Sequence, residues 1–398
     1  MTVLGSKSAV RPTPQVARRI INALTNGVPP PPDVIDFATV GSSALENRLL
    51  IDLSVCATGA YRAVALLGDP GTGKTHCLNR LTAKALSANF AVARFTQDIA
   101  TKNTLNRLDR VSASIFESLW LPGMPVNENA LFSVLRRWAD LTVNAVGGPI
   151  KSLKYLGDAC DLGFLSVPFL EIPGRTRACL LGLLAATRAS DGESALFFMN
   201  GIASTAVGNT ELIQRCVSLG VQFYKFIGYT PAKSDSKFHI SQIRTVVDIV
   251  RRVGYSGAVI LCDEATGTAE LVTRSRQKAY DVVFDLLSNA HKIGNCLFIL
   301  AFMPDFLVQL RCDQASGMPC FNRAWSETWR ASQLELPSLS PSDMAALAVR
   351  ISELRLLAFE EGTLLRADDA ERRARRFRGS LRDWVKVVVQ ESAKLASE

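Results

Sequence analysis

The sequence predicts an α/β protein with a parallel sheet, a large helical insertion and a C-terminal group of helices. Three observations support this prediction. Residues 258–262 and 296–302 are uninterrupted apolar runs, as expected for central strands that are buried on both faces. A glycine-rich segment, 68–75, lies between another apolar run and a helical pattern. The second and third predicted strands are about 160 residues apart, which is far longer than an ordinary crossover connection.

Composition sets the class of protein and excludes several functions. With 398 residues, 48% of them hydrophobic and 21% charged, the chain is long enough for two globular domains. The formal charge of +8 permits a nucleic-acid partner without demanding one. Nine cysteines without a C-x-x-C pair and three histidines without ligand spacing argue against a bound metal cluster and favour reduced thiols. Without a signal-peptide pattern or a long apolar stretch, we expect a cytoplasmic protein that does not enter a membrane.

The first elements lead towards the glycine-rich segment. A helix is predicted from about Gln15 to Thr25, and the four prolines at 29–32 force an extended segment after it. Val40 and Gly41 then precede a second helix, from about Ser43 to Thr58. A Val-Gly turn at this place resembles the adenine-side segment of AAA+ ATPases, and an ordinary turn is the alternative. If the resemblance holds, Val40 and Gly41 contact the nucleotide.

The glycine-rich segment fits the phosphate-loop pattern G-x-x-x-x-G-K-[ST] at every fixed position. It comprises Gly68, Asp69, Pro70, Gly71, Thr72, Gly73, Lys74 and Thr75. The glycines let backbone N–H groups surround a phosphate at the N-terminus of the following helix, and we expect His76, the next residue, to belong to the nucleotide-binding set as well. Lys74 would contact the β- and γ-phosphates and Thr75 would ligate Mg²⁺. We therefore expect the chain to bind a nucleoside triphosphate, with ATP and Mg²⁺ as its ligands.

A strand at 90–96 follows, and the next 160 or so residues are mostly helical by pattern, so we interpret them as an insertion with its own packing. The predicted helices of this insertion are 104–120, 128–146, 174–189, 191–207 and 209–219. The domain boundaries that follow from this interpretation are 1–45 for an N-terminal segment, 46–337 for the sheet-bearing core with the insertion at about 100–240, and 338–398 for the C-terminal helices.

Asp263 and Glu264 end the apolar run at 258–262. A central parallel strand that ends in two acids is typical of a nucleotide-hydrolysing site. Asp263 would support the metal, mostly through water, and Glu264 would orient and deprotonate the water that attacks the γ-phosphate. A buried strand that meets a solvated turn would also look like this, and the phosphate loop upstream favours the functional interpretation.

Two positions after the next strand bear on hydrolysis. ATPases of the AAA+ class usually place a polar residue at the end of the strand that corresponds to 296–302, whereas this chain has Met303, and Asp305 is the nearest carboxylate. Slow turnover is a consequence we expect. Arg323 and Arg330 lie where AAA+ proteins carry the arginine finger that reaches a neighbouring subunit's nucleotide. Each arginine could equally lie on Trp325 or Trp329 at the surface.

Three helices are predicted after the last strand, 333–336, and they resemble the lid of an AAA+ ATPase. The first begins at Pro341, with Ser340 before it and Asp343 in the first turn. The second is arginine-rich, and the third starts after Ser380. Arg378 or Arg382 could contact the γ-phosphate from this lid. The other arginines could bind nucleic-acid phosphates or form a solvated face.

Longer segments resemble the BREX-type ATP-binding proteins of bacterial phage defence. These are residues 17–30 with Val40 and Gly41, residues 250–264, and residues 334–340. The family implies a cytosolic ATPase that acts with other defence proteins, often near a helicase or a DNA methyltransferase. Its usual small polar residue after the fourth strand is replaced here by Phe302 and Met303.

The leading hypothesis is a Mg²⁺-dependent AAA+-like ATPase, a motor or switch in defence against foreign DNA, that forms a homo-oligomer when nucleotide binds. One alternative is an ATP-dependent DNA-binding regulator like the AAA+ proteins that select transposition targets. Another is a slow, nucleotide-gated scaffold for partner proteins. A metabolic kinase is disfavoured, because no compact substrate site follows the second strand.

Overall fold

The computed structural model describes residues 11–40, 44–124, 129–146, 163, 165–168, 171–204, 207–221, 235–362 and 364–394, and the structural statements below concern these residues. The chain divides into two compact units. Unit 1 comprises Met1–Arg48, Gly68–Ala83 and Glu335–Glu398, and unit 2 comprises Leu49–Leu67 and Lys84–Leu334. Each unit has a hydrophobic core of its own.

Unit 2 contains a five-stranded sheet in an α/β arrangement. The strands are β1 (Tyr61–Leu67), β2 (Phe90–Thr96), β3 (Gly257–Asp263), β4 (Cys296–Phe302) and β5 (Gln333–Glu335). Their order in the sheet is β2-β3-β4-β1-β5. The pairs β2/β3, β3/β4 and β4/β1 are parallel. Every residue of β3 and β4 is buried, which explains why both strands read as continuous apolar runs.

The register of these pairs fixes which residues share the carboxyl edge of the sheet. Leu67, the last residue of β1, is opposite Phe302, the last residue of β4. Cys262 of β3 is opposite Leu300 of β4. Asp263, one residue further, therefore reaches the same edge as Leu67, with only β4 between their strands. Two strand spacings are about 10 Å.

The helices of unit 2 cover the sheet and form the insertion. They are α2 (Ala44–Ala57), which begins in unit 1, α4 (Leu108–Glu117), α5 (Ala130–Val146), α6 (Gly174–Arg188), α7 (Gly192–Ala203), α8 (Asn209–Ser218), α9 (Ser236–Arg252), α10 (Thr273–Leu287), α11 (Pro304–Ala315) and α12 (Arg323–Ser332). Helix α6 is buried along Arg175–Ala186, so it is the centre of the insertion rather than a surface helix.

Helices α6 and α7 pack with their backbones close together. A Cβ added at Gly182 would lie 2.2 Å from the ring of Phe198, and one added at Gly201 would lie 2.7 Å from Cys179 Sγ. Both distances are shorter than van der Waals contact, so each glycine allows a helix approach that alanine would prevent.

Unit 1 combines the two ends of the chain with the segment after β1. Its helices are α1 (Pro14–Thr25), a 3₁₀ helix (Ile35–Ala38), the first part of α3 (Lys74–Ser87), α13 (Pro341–Phe359), α14 (Ala367–Arg376) and α15 (Leu381–Lys394). The core of unit 1 includes Ile20 and Ile21 of α1, Ile351 of α13 and Trp384 of α15. Trp384 Nε1 also donates to the carbonyl of Met344 at 3.0 Å. The N-terminal helix and the C-terminal helices thus share one core.

Three α-helices, α9, α11 and α12, and the 3₁₀ helix Ile35–Ala38 were not predicted from the sequence. The helices that were predicted within the described residues are found, with ends that differ by a few residues. Among the helices described, none is both long and apolar enough to cross a bilayer.

Candidate functional site

The phosphate-loop pattern occupies the connection between β1 and α3, as a strand–loop–helix arrangement requires. The backbone turns at Gly71 and Gly73, whose φ angles of 76° and 103° belong to the left-handed region that glycine adopts without strain. Thr72 stabilises the turn, because its hydroxyl donates to the Asp69 carbonyl at 2.8 Å. The Gly73 carbonyl accepts from the N–H of Cys77 at 2.9 Å, so Gly73 caps the start of α3.

Lys74 is buried within this loop, with 8% of its surface exposed. Its Nζ donates to the carbonyl of Gly68 at 2.5 Å and to that of Asp69 at 2.9 Å. The ammonium group is therefore held inside the curve of the loop. The N-terminus of α3, which lacks an acid in its first turn, adds the positive end of the helix dipole. A phosphate is the ligand that this combination favours.

The start of α15 packs against the loop within unit 1. A Cβ added at Gly71 would lie 2.8 Å from Ser380 Oγ, and the N–H of Arg382 donates to the Gly71 carbonyl at 3.2 Å. Ser380 and Asp383 form a capping box that fixes this end of the helix. Arg382 is thus held beside the loop by its backbone, with an exposed side chain. Arg378 is exposed as well.

The segment before α2 approaches the loop from the other side. Thr39 Oγ1 lies 3.0 Å from Nε2 of His76. Because the Thr39 hydroxyl already donates to the carbonyl of Ile35 at 2.9 Å, Nε2 of His76 is the donor in this contact. Val40, next in the chain, is partly buried against the core of unit 1. Gly41, the other residue predicted on this segment, lies outside the described residues.

His76 is neutral at physiological pH. Burial, the larger cause, and the nearby Arg80 together lower the pKa of its imidazole to about 4, against an opposing effect of Asp36. Arg80 forms ion pairs with Asp36 at 3.2 Å and with Glu46. The first turns of α3 are thereby tied to the N-terminal segment by charged as well as neutral contacts.

The two predicted acids lie at the carboxyl edge of unit 2's sheet. Asp263 is buried, with 8% of its side chain exposed, and its Oδ2 accepts from Nη2 of Arg94 at 2.5 Å. Sequence reasoning missed Arg94, which belongs to β2. The signal that could have revealed it is a single charge within an otherwise apolar strand.

Glu264 has an unusual backbone. Its φ angle is 56°, in the left-handed region that non-glycine residues adopt at a cost of about 1 kcal/mol or more. The side chain is exposed. Strain of this kind concentrates at functional sites, because a residue that must point in one direction is retained despite its cost.

The position directly after β4 holds an apolar residue, Met303, where ATPases of the AAA+ class usually have a polar one. Met303 is the N-cap of α11 without a side-chain cap hydrogen bond, and Asp305 is exposed in the first turn of that helix. Phe302 stacks on Phe306 with ring centroids 4.1 Å apart, and its ring also meets Trp329 at 5.6 Å. Aromatic packing therefore surrounds the end of β4.

The two candidate finger arginines lie on the exposed side of α12. Arg323 is 92% exposed and its Nε donates to Glu327 at 2.7 Å. Arg330 is also exposed. The tryptophans of this helix, Trp325 and Trp329, are instead buried and stack on each other with centroids 5.5 Å apart.

The donor atoms fit the ligands that the sequence suggested. A hydroxyl from Thr75 and a carboxylate from Asp263 are hard oxygen donors, which suit Mg²⁺ better than a softer metal. Among the described residues, no group of three or more His, Cys, Asp or Glu side chains could hold a metal by itself.

A family model described as "BREX system ATP-binding protein BrxC/D" matches residues 13–147 and 232–394, about three quarters of the chain. The match includes the phosphate loop, both acids and the C-terminal helices. Helices α6, α7 and α8 fall in the unmatched part. Comparison with curated proteins and with solved structures gave no match.

Proposed function

The chain belongs to the family of BREX system ATP-binding proteins, and from that premise we propose that it is a Mg²⁺-dependent ATPase of the AAA+ type. In this proposal it acts as a motor or switch in phage defence, together with other proteins of the defence system. The family match supports ATP binding and a role in defence.

One observation carries the proposal: β1 and β3 end at the same edge of one parallel sheet, separated by β4 alone. Leu67 at the end of β1 is joined directly to Gly68, the first residue of the phosphate loop. Asp263 is the last residue of β3, at the same carboxyl edge of the sheet as Leu67. The carboxyl edge of a parallel sheet is where ligands of α/β proteins bind.

Each residue then has a distinct task. Lys74 and the loop N–H groups would bind the β- and γ-phosphates, and the Thr75 hydroxyl and the Asp263 carboxylate are the oxygen donors assigned to the metal. Mg²⁺, when bound, would neutralise charge on the phosphate oxygens. Glu264, exposed at the end of β3, orients a water molecule and accepts its proton. Arg382, held beside Gly71, contacts phosphate from the lid, and Arg323 or Arg330 reaches the nucleotide of a neighbouring subunit in a homo-oligomer.

Nucleotide binding and turnover, measured separately, test this assignment. Lys74→Ala should abolish ATP binding, whereas Lys84→Ala, on the same helix, should not. Glu264→Gln should bind ATP as wild type does and lose turnover, whereas the matched control Glu270→Gln should keep both. Normal ATP binding by Lys74→Ala would exclude the loop as the site, and normal turnover by Glu264→Gln would exclude Glu264 as the base.

A second candidate function, ATP-dependent DNA binding, is favoured by the arginines of α14 and the turn after it. Arg372, Arg373 and Arg375 form ion pairs with acids of unit 1. Arg376 and Arg378 are exposed and form no ion pair with the described residues. Exchange of both for glutamine should lower the salt dependence of duplex binding by about one unit of slope for each phosphate that the protein no longer neutralises. Unchanged salt dependence would assign these arginines to a solvated face.

A further inference from the structure

We propose that Arg94 is a positioning residue of the candidate active site: it orients the Asp263 carboxylate and sets the divalent-cation concentration that the site requires. The inference rests on the proposed function, because it takes Asp263 to be the carboxylate that supports the metal. It goes beyond that function by assigning a role to a residue of β2. Arg94 and Asp263 both belong to unit 2.

The sheet register places the two side chains together. Arg94 of β2 is opposite Leu261 of β3, and Thr96 is opposite Asp263. Side chains two residues apart on a strand point to the same face, so Arg94 and Asp263 are diagonal neighbours on one face of the sheet. A long side chain can span the distance between diagonal neighbours. Arg94 does so, because its Nη2 donates to Asp263 Oδ2 at 2.5 Å.

The backbone of Arg94 is fixed on both sides. One side pairs with β3. On the other side, its N–H donates to Ser118 Oγ at 3.1 Å, next to an antiparallel bridge between Val92 and Trp120. The edge of β2 is thus covered at this point, and the guanidinium extends from an anchored position. A rigid backbone and a charge-assisted hydrogen bond together restrict the Asp263 carboxylate to one orientation.

Arg94 and a divalent cation would compete for the same carboxylate, because both are attracted to Asp263. Asp263 has 8% and Arg94 31% of its side chain exposed, so solvent screens this competition only in part. The positive charge of Arg94 consequently lowers the affinity of Asp263 for a metal. A neutral side chain at position 94 should therefore tighten metal binding, whereas a merely structural residue would affect only folding.

Arg94→Gln tests the proposal, because glutamine removes the charge and can still donate a hydrogen bond. The measurement is Mn²⁺ binding, followed by electron paramagnetic resonance, to protein saturated with a non-hydrolysable ATP analogue, so it does not depend on turnover. Arg94→Lys keeps the charge. Arg62→Gln is the matched control on β1, where Arg62 faces Asp52 at the opposite end of the sheet from the candidate site.

We expect Arg94→Gln to bind Mn²⁺ about fivefold more tightly than wild type, the scale of a partly buried charge pair. Arg94→Lys and Arg62→Gln should stay within about twofold of wild type on the same scale. If Arg94→Gln does not fold, Arg94→Met removes the same charge but also the hydrogen bond that orients Asp263, so Mn²⁺ binding tighter than wild type is expected, by less than about fivefold. Unchanged or weaker Mn²⁺ binding in a folded neutral variant would overturn the role of Arg94 alone. Wild-type protein that takes up no nucleotide would overturn the proposed function and this inference with it.

Discussion

The backbone N–H of Arg382 donates to the carbonyl oxygen of Gly71 at 3.2 Å, so main-chain atoms join the last helix to the phosphate loop. Side-chain exchange at position 382 cannot remove this bond. The neighbouring Ser380 lies against the same glycine, 2.8 Å from where a Cβ would stand. Any group added at Gly71 therefore meets the helix start directly.

Gly71→Ala should lower the free energy of unfolding by about 2 kcal/mol, because it adds a left-handed backbone strain and a steric conflict with Ser380. Urea denaturation measures this change. Ser380→Gly alone should lower stability slightly, because it removes the helix cap at the start of α15. The double variant Gly71→Ala with Ser380→Gly should lose less stability than the sum of the two single changes, since it removes the steric conflict and leaves the strain. Additive losses would show that Ser380 does not limit the space at Gly71.

Glu264 offers a separate test of backbone strain. Glu264→Gly should raise the free energy of unfolding by about 1 kcal/mol, because glycine adopts a φ of 56° without the cost that glutamate bears. Glu264→Gln, which keeps the strain, should leave stability unchanged. Thermal unfolding of the three proteins compares them. Equal stability of the glycine and glutamine variants would contradict a strained Glu264.

The lowered pKa of His76 should make the free energy of unfolding depend on pH. The pKa of its imidazole is about 4 in the folded protein, below the ordinary value of 6.5, so between these values the unfolded state binds more protons than the folded state. The contribution of His76 to stability is therefore fully present above pH 6.5 and decreases as the pH falls towards 4. His76→Gln should reduce the slope of unfolding free energy against pH in this window. An identical slope in both proteins would argue against a lowered imidazole pKa in the folded state.

The packing of α6 on α7 predicts which glycines tolerate a methyl group. Gly182→Ala should lower the free energy of unfolding by about 2–3 kcal/mol, because its Cβ would overlap the buried ring of Phe198. Gly192→Ala is the matched control: it has no atom within 4 Å of the added Cβ and should change stability little. Chemical denaturation decides between them. A neutral Gly182→Ala would mean that the two helices can move apart at little cost.

The sheet could be predicted from the sequence because its central strands are buried on both faces. The runs that became β2 and β4 match their predicted limits, and β3 begins at Gly257, one residue before its apolar run. The resemblance to BREX-type ATP-binding proteins is confirmed by the family match. Both signals depend on contiguous residues, which a sequence displays directly.

The features that escaped prediction depend on contacts between distant segments. Helix α9 buries the polar side chains of His239, Gln242 and Thr245, so its apolar pattern is interrupted. Pro304 resembles a break but is the first residue of α11, where proline is favoured. The ion pair of Arg94 with Asp263 requires that β2 lie beside β3, and strand order cannot be read from a sequence.

The close crossing of α6 and α7 has an evolutionary consequence. Because Gly182 meets Phe198 and Gly201 meets Cys179, each glycine can be replaced only if its opposite side chain becomes smaller. In natural relatives that share this insertion, side-chain size at 182 should vary inversely with size at 198, and size at 201 inversely with size at 179. Such covariation would show that relatives with this insertion maintain the close crossing of the two helices.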